Sequence, residues 1–84
     1  MAHRETQNQL FSPLQLRDVV LKNRIAAAPM WQYQGRHGRV QDWHLMHLGR
    51  LAAGGSGLVL QEGTGVERRG AGTLGDIGLW QDDM

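Results

Sequence analysis

One short stretch has the residue types and the spacing to line a site for a flat ligand: Ala28, Pro29, Met30, Trp31 and Tyr33. It lies where an apolar segment gives way to a polar loop. Pro29 disfavours the helical conformation at the residue before it, so residues 25–30 are predicted to form a strand. The small side chains of this strand leave room for a flat group to lie beside it.

Gly63 is the second candidate, because it follows another apolar run that begins at Leu58. A glycine lets backbone N–H groups approach a planar ligand closely. In a parallel α/β barrel both candidates would lie at the C-terminal mouth, where active sites form. The residues alone leave two interpretations open: a rim that faces a ligand, and a strand end with a purely structural role.

Other patterns are better explained by structure than by chemistry. Gly70–Gly75 matches G-x-G-x-x-G, but it neither follows a strand directly nor opens a helix, so we interpret it as a flexible loop. His44 and His47 lack the cysteines or the HExxH pattern of zinc sites, so we predict packing or surface histidines and no metal. Glu62 ends the second strand, where an ion pair behind the strand is favoured over a catalytic carboxylate.

The elements that must position these candidates alternate along the chain. Short apolar runs around Arg17 and Asp18 indicate a hairpin, although its turn lacks a glycine. Leucines at helical spacing predict a helix over 43–53, with Asp42 as its N-cap and Gly54 at its end. The predicted order is a disordered leader over 1–9, the hairpin, a strand over 25–30, the helix, a strand over 58–63 parallel to the first, and a loop over 63–78.

The composition limits what such a chain can build. Its 84 residues suffice for one small domain, and 12 glycines with no cysteine leave little to form or cross-link a core. One strand–helix–strand unit cannot cover its own sheet. We therefore expect an α/β fold, the N-terminal part of a TIM (β/α)8 barrel, incomplete as given: hairpin, strand 1, helix 1 and strand 2 within residues 10–84.

Charge and hydropathy exclude several classes of protein. A net charge of +1 is too balanced for a nucleic-acid footprint or a membrane-surface patch. No apolar run approaches the length of a transmembrane helix, and the N-terminus lacks the apolar region of a secretory signal. The absence of cysteine fits a reducing compartment, so we expect a cytoplasmic protein.

Several short motifs are spread over nearly all of the chain after residue 9: Leu10-Phe11-Ser12-Pro13-Leu14, Leu21-Lys22-Asn23-Arg24-Ile25, Ala28-Pro29-Met30, Asp42-Trp43-His44-Leu45, Leu58-Val59-Leu60-Gln61-Glu62-Gly63-Thr64 and Gly75-Asp76-Ile77-Gly78-Leu79-Trp80. As a set they closely resemble the N-terminus of the old yellow enzyme family. The branch that they resemble most is the bacterial, thermophilic-type ene-reductases.

The resemblance implies a TIM barrel that holds FMN non-covalently at its mouth, with NADPH or NADH as reductant. Enzymes of this family reduce the activated C=C bond of α,β-unsaturated carbonyl compounds. Hydride passes from the nicotinamide to flavin N5 and then to the β-carbon, while an acid protonates the α-carbon. By resemblance, Ala28, Pro29 and Met30 pack along the flavin and Gly63 approaches its carbonyl edge, while Tyr33 faces an enone-type substrate.

No catalytic residue is assigned within the chain. The resemblance places the proton-donating tyrosine and the pair that grips the substrate carbonyl beyond residue 84. The rest of the barrel is thus an expected partner, and we also expect a homo-oligomer. Two alternatives stay open: a related FMN barrel, such as a dienoyl thioester reductase or an amine dehydrogenase, and an isolated barrel fragment without activity.

Trp31 departs from the family pattern, which has Cys or Thr at this position with its side chain against the flavin. A tryptophan is far bulkier and offers an indole N–H instead of a thiol. We expect Trp31 to contact both the flavin and the substrate and to narrow the pocket. The alternative is that the indole turns outward and packs against the loop over 32–41.

Overall fold

The computed structural model describes residues 9–84, so the predicted leader lies outside the described residues except for Gln9. This part of the chain contains no helix that is long and apolar enough to cross a membrane. In chain order its elements are β1 (Leu14–Leu16), β2 (Val19–Leu21), β3 (Ala26–Ala27), α1 (Asp42–Ala53), β4 (Leu58–Val59), β5 (Thr64–Gly65), a 3-10 turn (Arg68–Gly70) and β6 (Ile77–Gly78).

The predicted hairpin is confirmed. β1 and β2 pair antiparallel, with Leu16 opposite Val19, so that Arg17 and Asp18 alone form the turn. Arg17 has a φ of 54°, in the left-handed region that a two-residue turn of this kind requires. A non-glycine residue therefore adopts the strained conformation that glycine would adopt at lower cost.

The parallel pairing of the two predicted strands is also confirmed, but both strands are shorter than expected. β3 and β4 align Ala26 with Leu58 and Ala27 with Val59, and α1 connects them. The N–H of Leu60 still reaches the carbonyl of Ala27 at 3.1 Å. Beyond it Pro29 has no N–H to donate, which ends the ladder well before residue 30.

Helix α1 begins one residue earlier than predicted, and Asp42 as its N-cap is wrong. The N-cap is Gln41, and Asp42 occupies the first helical turn, where a carboxylate is favoured by the helix dipole. His44 explains the difference, because its Nδ1 accepts the N–H of Gln41 at 2.9 Å. The end at Gly54 is confirmed, with the N–H of Gly54 bound to the carbonyl of Arg50 at 2.9 Å.

Asn23 ties β3 to the chain that follows the helix. Its Nδ2 donates to the carbonyl of Gly55 at 2.7 Å, and its Oδ1 accepts the N–H of Ile25 at 3.0 Å. A Cβ at Gly57 would lie 2.5 Å from the same Oδ1, so only glycine allows this approach. The asparagine of the L-K-N-R motif therefore has a structural role, which is to place β3 beside β4.

The loop predicted over residues 63–78 is wrong at both of its ends. β5 and β6 pair parallel, with Thr64 opposite Ile77, and Gly38 bridges to Ile77 from the other side. The N–H of Gly78 donates to the carbonyl of Gly38 at 2.7 Å. These strands are two residues long and half glycine, so they carry no apolar run and backbone pairing alone defines them.

Little of the apolar surface is buried within the described residues. Ile77, at 1% exposure, is their one buried hydrophobic side chain, whereas Leu45 and Leu74 are 77% and 98% exposed. The radius of gyration is 16.7 Å, against about 12 Å for a compact domain of this length. Residues 9–84 thus do not close a core of their own, as the composition predicted.

Asp76 organises the glycine-rich connection between the 3-10 turn and β6. Its Oδ2 accepts the N–H groups of Gly72 at 2.7 Å and Thr73 at 3.1 Å, and its Oδ1 accepts the Thr73 hydroxyl at 2.7 Å. The Thr73 hydroxyl lowers the pKa of Asp76 below its ordinary 3.8, the two N–H groups add to this, and burial opposes it. No helix follows the glycines, which agrees with the interpretation as a loop.

A low pH should destabilise the glycine-rich connection that Asp76 holds. Because the pKa of Asp76 is lower in the folded than in the unfolded chain, its stabilising effect is complete above 3.8 and is lost as the pH falls through the lowered folded value. We expect Asp76→Asn to reduce the free energy of unfolding at neutral pH and to flatten its decline below about pH 4. Urea unfolding across acid pH measures both effects, with the exposed Asp82→Asn as the control for loss of one charge.

Candidate functional site

The carboxyl ends of β3 and β4 lead into the two segments that carry the predicted site residues. Because the strands are parallel, residues 28–33 and residues 60–63 leave the sheet at the same edge. In a barrel this edge is the mouth at which ligands bind. Ala28, Pro29 and Met30 come directly after β3 and are exposed.

Trp31 lies against Gly63. A Cβ built on Gly63 would be 2.4 Å from Cη2 and 2.6 Å from Cζ2 of the indole, which no real side chain can occupy. The ring therefore rests directly on the glycine, and the close approach predicted at Gly63 is made here by an aromatic side chain of the chain itself.

Tyr33 stacks beside the indole. The two ring centroids are 6.4 Å apart and the ring planes differ by 18°. Tyr33 has a φ of 57°, so the backbone turns sharply after Gln32 and brings the phenol back alongside Trp31. Trp31 remains 51% exposed and Tyr33 58%, and their contact means that the indole meets both the strand edge and the loop over 32–41.

A buried polar cluster lies behind this rim, and the sequence analysis found it only in part. The side chains of Glu62 and His44 are 2% and 6% exposed, with Oε1 of the carboxylate 3.0 Å from Nε2 of the ring. The ion pair predicted behind the strand is thus a polar contact with a histidine rather than a confirmed pair of charges, and packing for His44 is confirmed. His47 is buried as well. The partner of Glu62 could have been found from the position of His44 in the first turn of the helix.

The protonation of His44 follows from its contacts. Its Nδ1 accepts the N–H of Gln41, so the neutral ring carries its proton on Nε2, which is the atom that faces Glu62. The 3.0 Å contact falls outside hydrogen-bonding alignment, and Nε2 is the buried side-chain atom of residues 9–84 that has no hydrogen-bond partner. The attraction between Glu62 and His44 is therefore electrostatic rather than a directed bond.

Gln32 connects the cluster to the two exposed rings. Its N–H donates to Oε2 of Glu62 at 2.9 Å, and its side-chain Nε2 donates to the carbonyl of Met30 at 3.0 Å. Its side-chain oxygen accepts the indole N–H of Trp43 at 2.8 Å. Nothing in the sequence pattern singles out Gln32, because these contacts depend on the turn that residues 30–33 make.

A separate cleft lies elsewhere and contains none of the predicted site residues. It has a volume of about 470 Å³ and lies along the 3-10 turn and the glycine-rich connection that follows it, between His37, Arg68 and Trp80. Asp76 also borders it, but its carboxylate already accepts three hydrogen bonds from its own loop. The side chains of this cleft offer no ligand-binding or catalytic group that the rim at Gly63 lacks.

Comparison with known proteins defines the class. The model of the NADH:flavin oxidoreductase / NADH oxidase family matches residues 9–84, and the chain belongs to this family. An NADH:flavin oxidoreductase of Gibberella zeae is 42% identical over 74 residues, which are 88% of this chain and 18% of that protein. The chain thus spans about a fifth of the length of this curated relative.

Solved structures give the same result for the fold. A 2-naphthoyl-CoA reductase superposes with a TM-score of 0.84 and 27% identity, over 89% of this chain and 12% of that one. The old yellow enzyme from Trypanosoma cruzi superposes with a TM-score of 0.73 and 29% identity, over 92% and 21%. The predicted fold, the N-terminal part of a TIM barrel of the old yellow enzyme type, is confirmed, and FMN with a nicotinamide reductant agrees with the family.

The contact between Trp31 and Gly63 predicts a strong coupling between these positions. Gly63→Ala places a methyl group in the indole and should destabilise the protein by about 1–3 kcal/mol through overpacking. In a Trp31→Ala background the same change should cost far less, because the clash is gone. Denaturant unfolding of the four proteins measures the coupling.

Gly70→Ala provides the control, because its Cβ would meet no atom within 4 Å. Its effect should be the same with and without Trp31. An equal cost of Gly63→Ala in both backgrounds would contradict the contact.

Proposed function

We propose that this chain provides part of the FMN site of an NAD(P)H-dependent oxidoreductase that reduces the activated C=C bond of α,β-unsaturated carbonyl compounds. Membership of the NADH:flavin oxidoreductase family supports the flavin and the nicotinamide. The observation that carries the proposal is the flat contact at Gly63, at the strand edge where a barrel binds its ligand.

The residues present fit a flavin. Gly63 already has a planar bicyclic ring against its backbone, so its surface accepts a flat group at contact distance. Ala28, Pro29 and Met30 present exposed side chains next to it, of which the first two are small. FMN, when bound, supplies the hydride. The flavin edge and the indole of Trp31 cannot occupy the same face of Gly63, so the proposal requires the indole to yield that face.

In this proposal the chain's own residues bind and orient the flavin and the substrate. Ala28, Pro29, Met30 and Gly63 contact the flavin, and Trp31 and Tyr33 border the substrate as half-exposed aromatic surfaces. Glu62 is too deeply buried to touch a ligand at the rim. We assign neither the proton donor nor the groups that hold the substrate carbonyl to residues 9–84.

A second candidate is reduction of an unsaturated thioester by the same flavin. It is favoured by the TM-score of 0.84 with the 2-naphthoyl-CoA reductase, whose structure holds 2-naphthoyl-CoA. The two candidates share the flavin site and differ in the substrate. Turnover of a cyclic enone and of an α,β-unsaturated CoA thioester, compared side by side, separates them.

The direct test is the flavin content and the activity of the intact protein. We expect it to purify with bound FMN and to oxidise NADH or NADPH in the presence of a cyclic enone. The 84-residue chain alone, supplied with FMN and NADPH, should not reduce the enone, because two paired strands cannot close a barrel mouth. An intact protein that neither binds FMN nor consumes the nicotinamide would refute the proposal.

Replacing Trp31 should change both the cofactor and the pocket. Trp31→Cys removes the ring from Gly63 and introduces a thiol, so we expect a shifted flavin reduction potential and turnover of bulkier enones. Trp31→Phe keeps a flat ring at this position and serves as the control for general disturbance. Potentiometric titration and a series of substituted cyclic enones provide the readouts. An unchanged potential and substrate range in Trp31→Cys would show that the indole does not face the site.

A further inference from the structure

The exposed aromatic pair is attached to the buried cluster at one residue. Gln32 lies between Trp31 and Tyr33, and its N–H is held by Oε2 of Glu62 at 2.9 Å. The Glu62 side chain is 2% exposed, so its carboxylate depends on donors supplied by the protein. A hydrogen bond from a backbone N–H to a buried carboxylate is strong, and it fixes the backbone of Gln32 at a defined place.

Helix α1 holds the other oxygen of this carboxylate. Nε2 of His44 lies 3.0 Å from Oε1, and the ring is itself held by the N–H of Gln41 at Nδ1. The helix therefore sets the position of the Glu62 carboxylate, and the carboxylate sets that of Gln32. Trp43, one residue earlier in the helix, adds a bond from its indole N–H to the Gln32 side chain at 2.8 Å.

These contacts fix the backbone on both sides of Trp31. The carbonyl of Met30 before it accepts from the Gln32 side chain at 3.0 Å, and the N–H of Gln32 after it is bound to Glu62. The residue is thus fixed on both sides by polar bonds, although its ring is half exposed. The ring meets the opposite strand end at Gly63.

We infer that Glu62, with His44 behind it, is a positioning residue that anchors residues 31–33: it sets where the Trp31 ring lies on Gly63 before a ligand binds, and how far the ring can move aside when one does. What the site binds rests on the proposed function. The position of the ring does not, and it can be measured without a ligand.

The chemistry of Glu62→Gln makes it a sharp test. Two N–H donors, from Gln32 and from His44, face the two carboxylate oxygens. An amide of the same shape has one oxygen and one NH2 group, so it can serve one donor and must turn an N–H group toward the other. If the Gln32 N–H is released, residues 31–33 lose their anchor, and the Trp31 ring moves away from Gly63.

The ring position is read from the Gly63 Hα protons, which lie in the ring current of the indole in the unaltered protein. With glycine-labelled intact protein from which FMN has been removed, we expect their NMR signals to be shifted upfield, and to return toward random-coil positions in Glu62→Gln. Glu67→Gln is the matched control, because Glu67 is exposed and contacts only Arg69 through its side chain. Unmoved Gly63 signals in a folded Glu62→Gln protein would overturn the inference.

His44→Asn covers the case in which Glu62→Gln does not fold. Asparagine keeps a short acceptor for the N–H of Gln41 and removes the group that faces Glu62. It should move the Gly63 signals in the same direction by a smaller amount. If the signals stay in place in this variant, the helix does not position the rim and the inference fails.

The enzymatic readout separates positioning from mere stability. Per bound flavin, we expect Glu62→Gln to lower KM for a bulky enone by about tenfold and to change kcat little, because the loss of one bond to a charged group releases the Trp31 ring that narrows the site. A purely structural Glu62 would lower the flavin-loaded fraction and leave KM per flavin unchanged, which would overturn the inference. An unaltered protein without FMN would refute the proposed function, and the NMR comparison would still decide the position of the ring.

Discussion

The buried carboxylate of Glu62 is the interaction on which the rim depends. A carboxylate removed from water is costly unless polar groups surround it, and the two that face Glu62, the hydrogen-bonded N–H of Gln32 and Nε2 of His44, come from different parts of the chain. Gln32 belongs to the segment after β3, His44 to the first turn of α1, and Glu62 itself follows β4. Satisfying one charge thus brings three parts of the chain to one point, directly behind the edge where Trp31 meets Gly63.

The balance between polar and apolar contacts in this chain is unusual. Ile77 is the one buried hydrophobic side chain of the described residues, whereas His44, His47, Glu62 and Asp76 are all buried. Backbone pairing and contacts between buried polar groups therefore define the arrangement, and the apolar faces of the hairpin and the helix stay open. In the relatives the matching segment is only part of a longer chain, 18% of the Gibberella zeae protein. One section of a barrel is expected to make polar contacts within itself and apolar contacts with the rest of the barrel.

The features that could be predicted from sequence have a local origin. The hairpin, the helix and the parallel strand pair each follow from apolar periodicity and from turn or stop residues such as Gly54. The strands β5 and β6 could not be predicted, because they are two residues long and Gly65 and Gly78 carry no side-chain pattern. The N-cap was misplaced because a histidine side chain, and not Asp42, binds the free N–H at the start of the helix.

The candidate site could be predicted from the sequence to a similar extent as the fold. Trp31, Tyr33 and Gly63 were chosen by position and resemblance, and the structure brings these three together. Gln32 was missed because its contacts arise only when residues 30–33 turn back on the helix, which no local pattern encodes. We propose that FMN lies along residues 28–30 with its edge at Gly63. A crystal structure of the intact protein with FMN tests it most directly. We expect the isoalloxazine ring to contact this rim and the Trp31 indole to be displaced from the flavin-facing side of Gly63. A flavin bound elsewhere, with the indole still covering Gly63, would refute this placement.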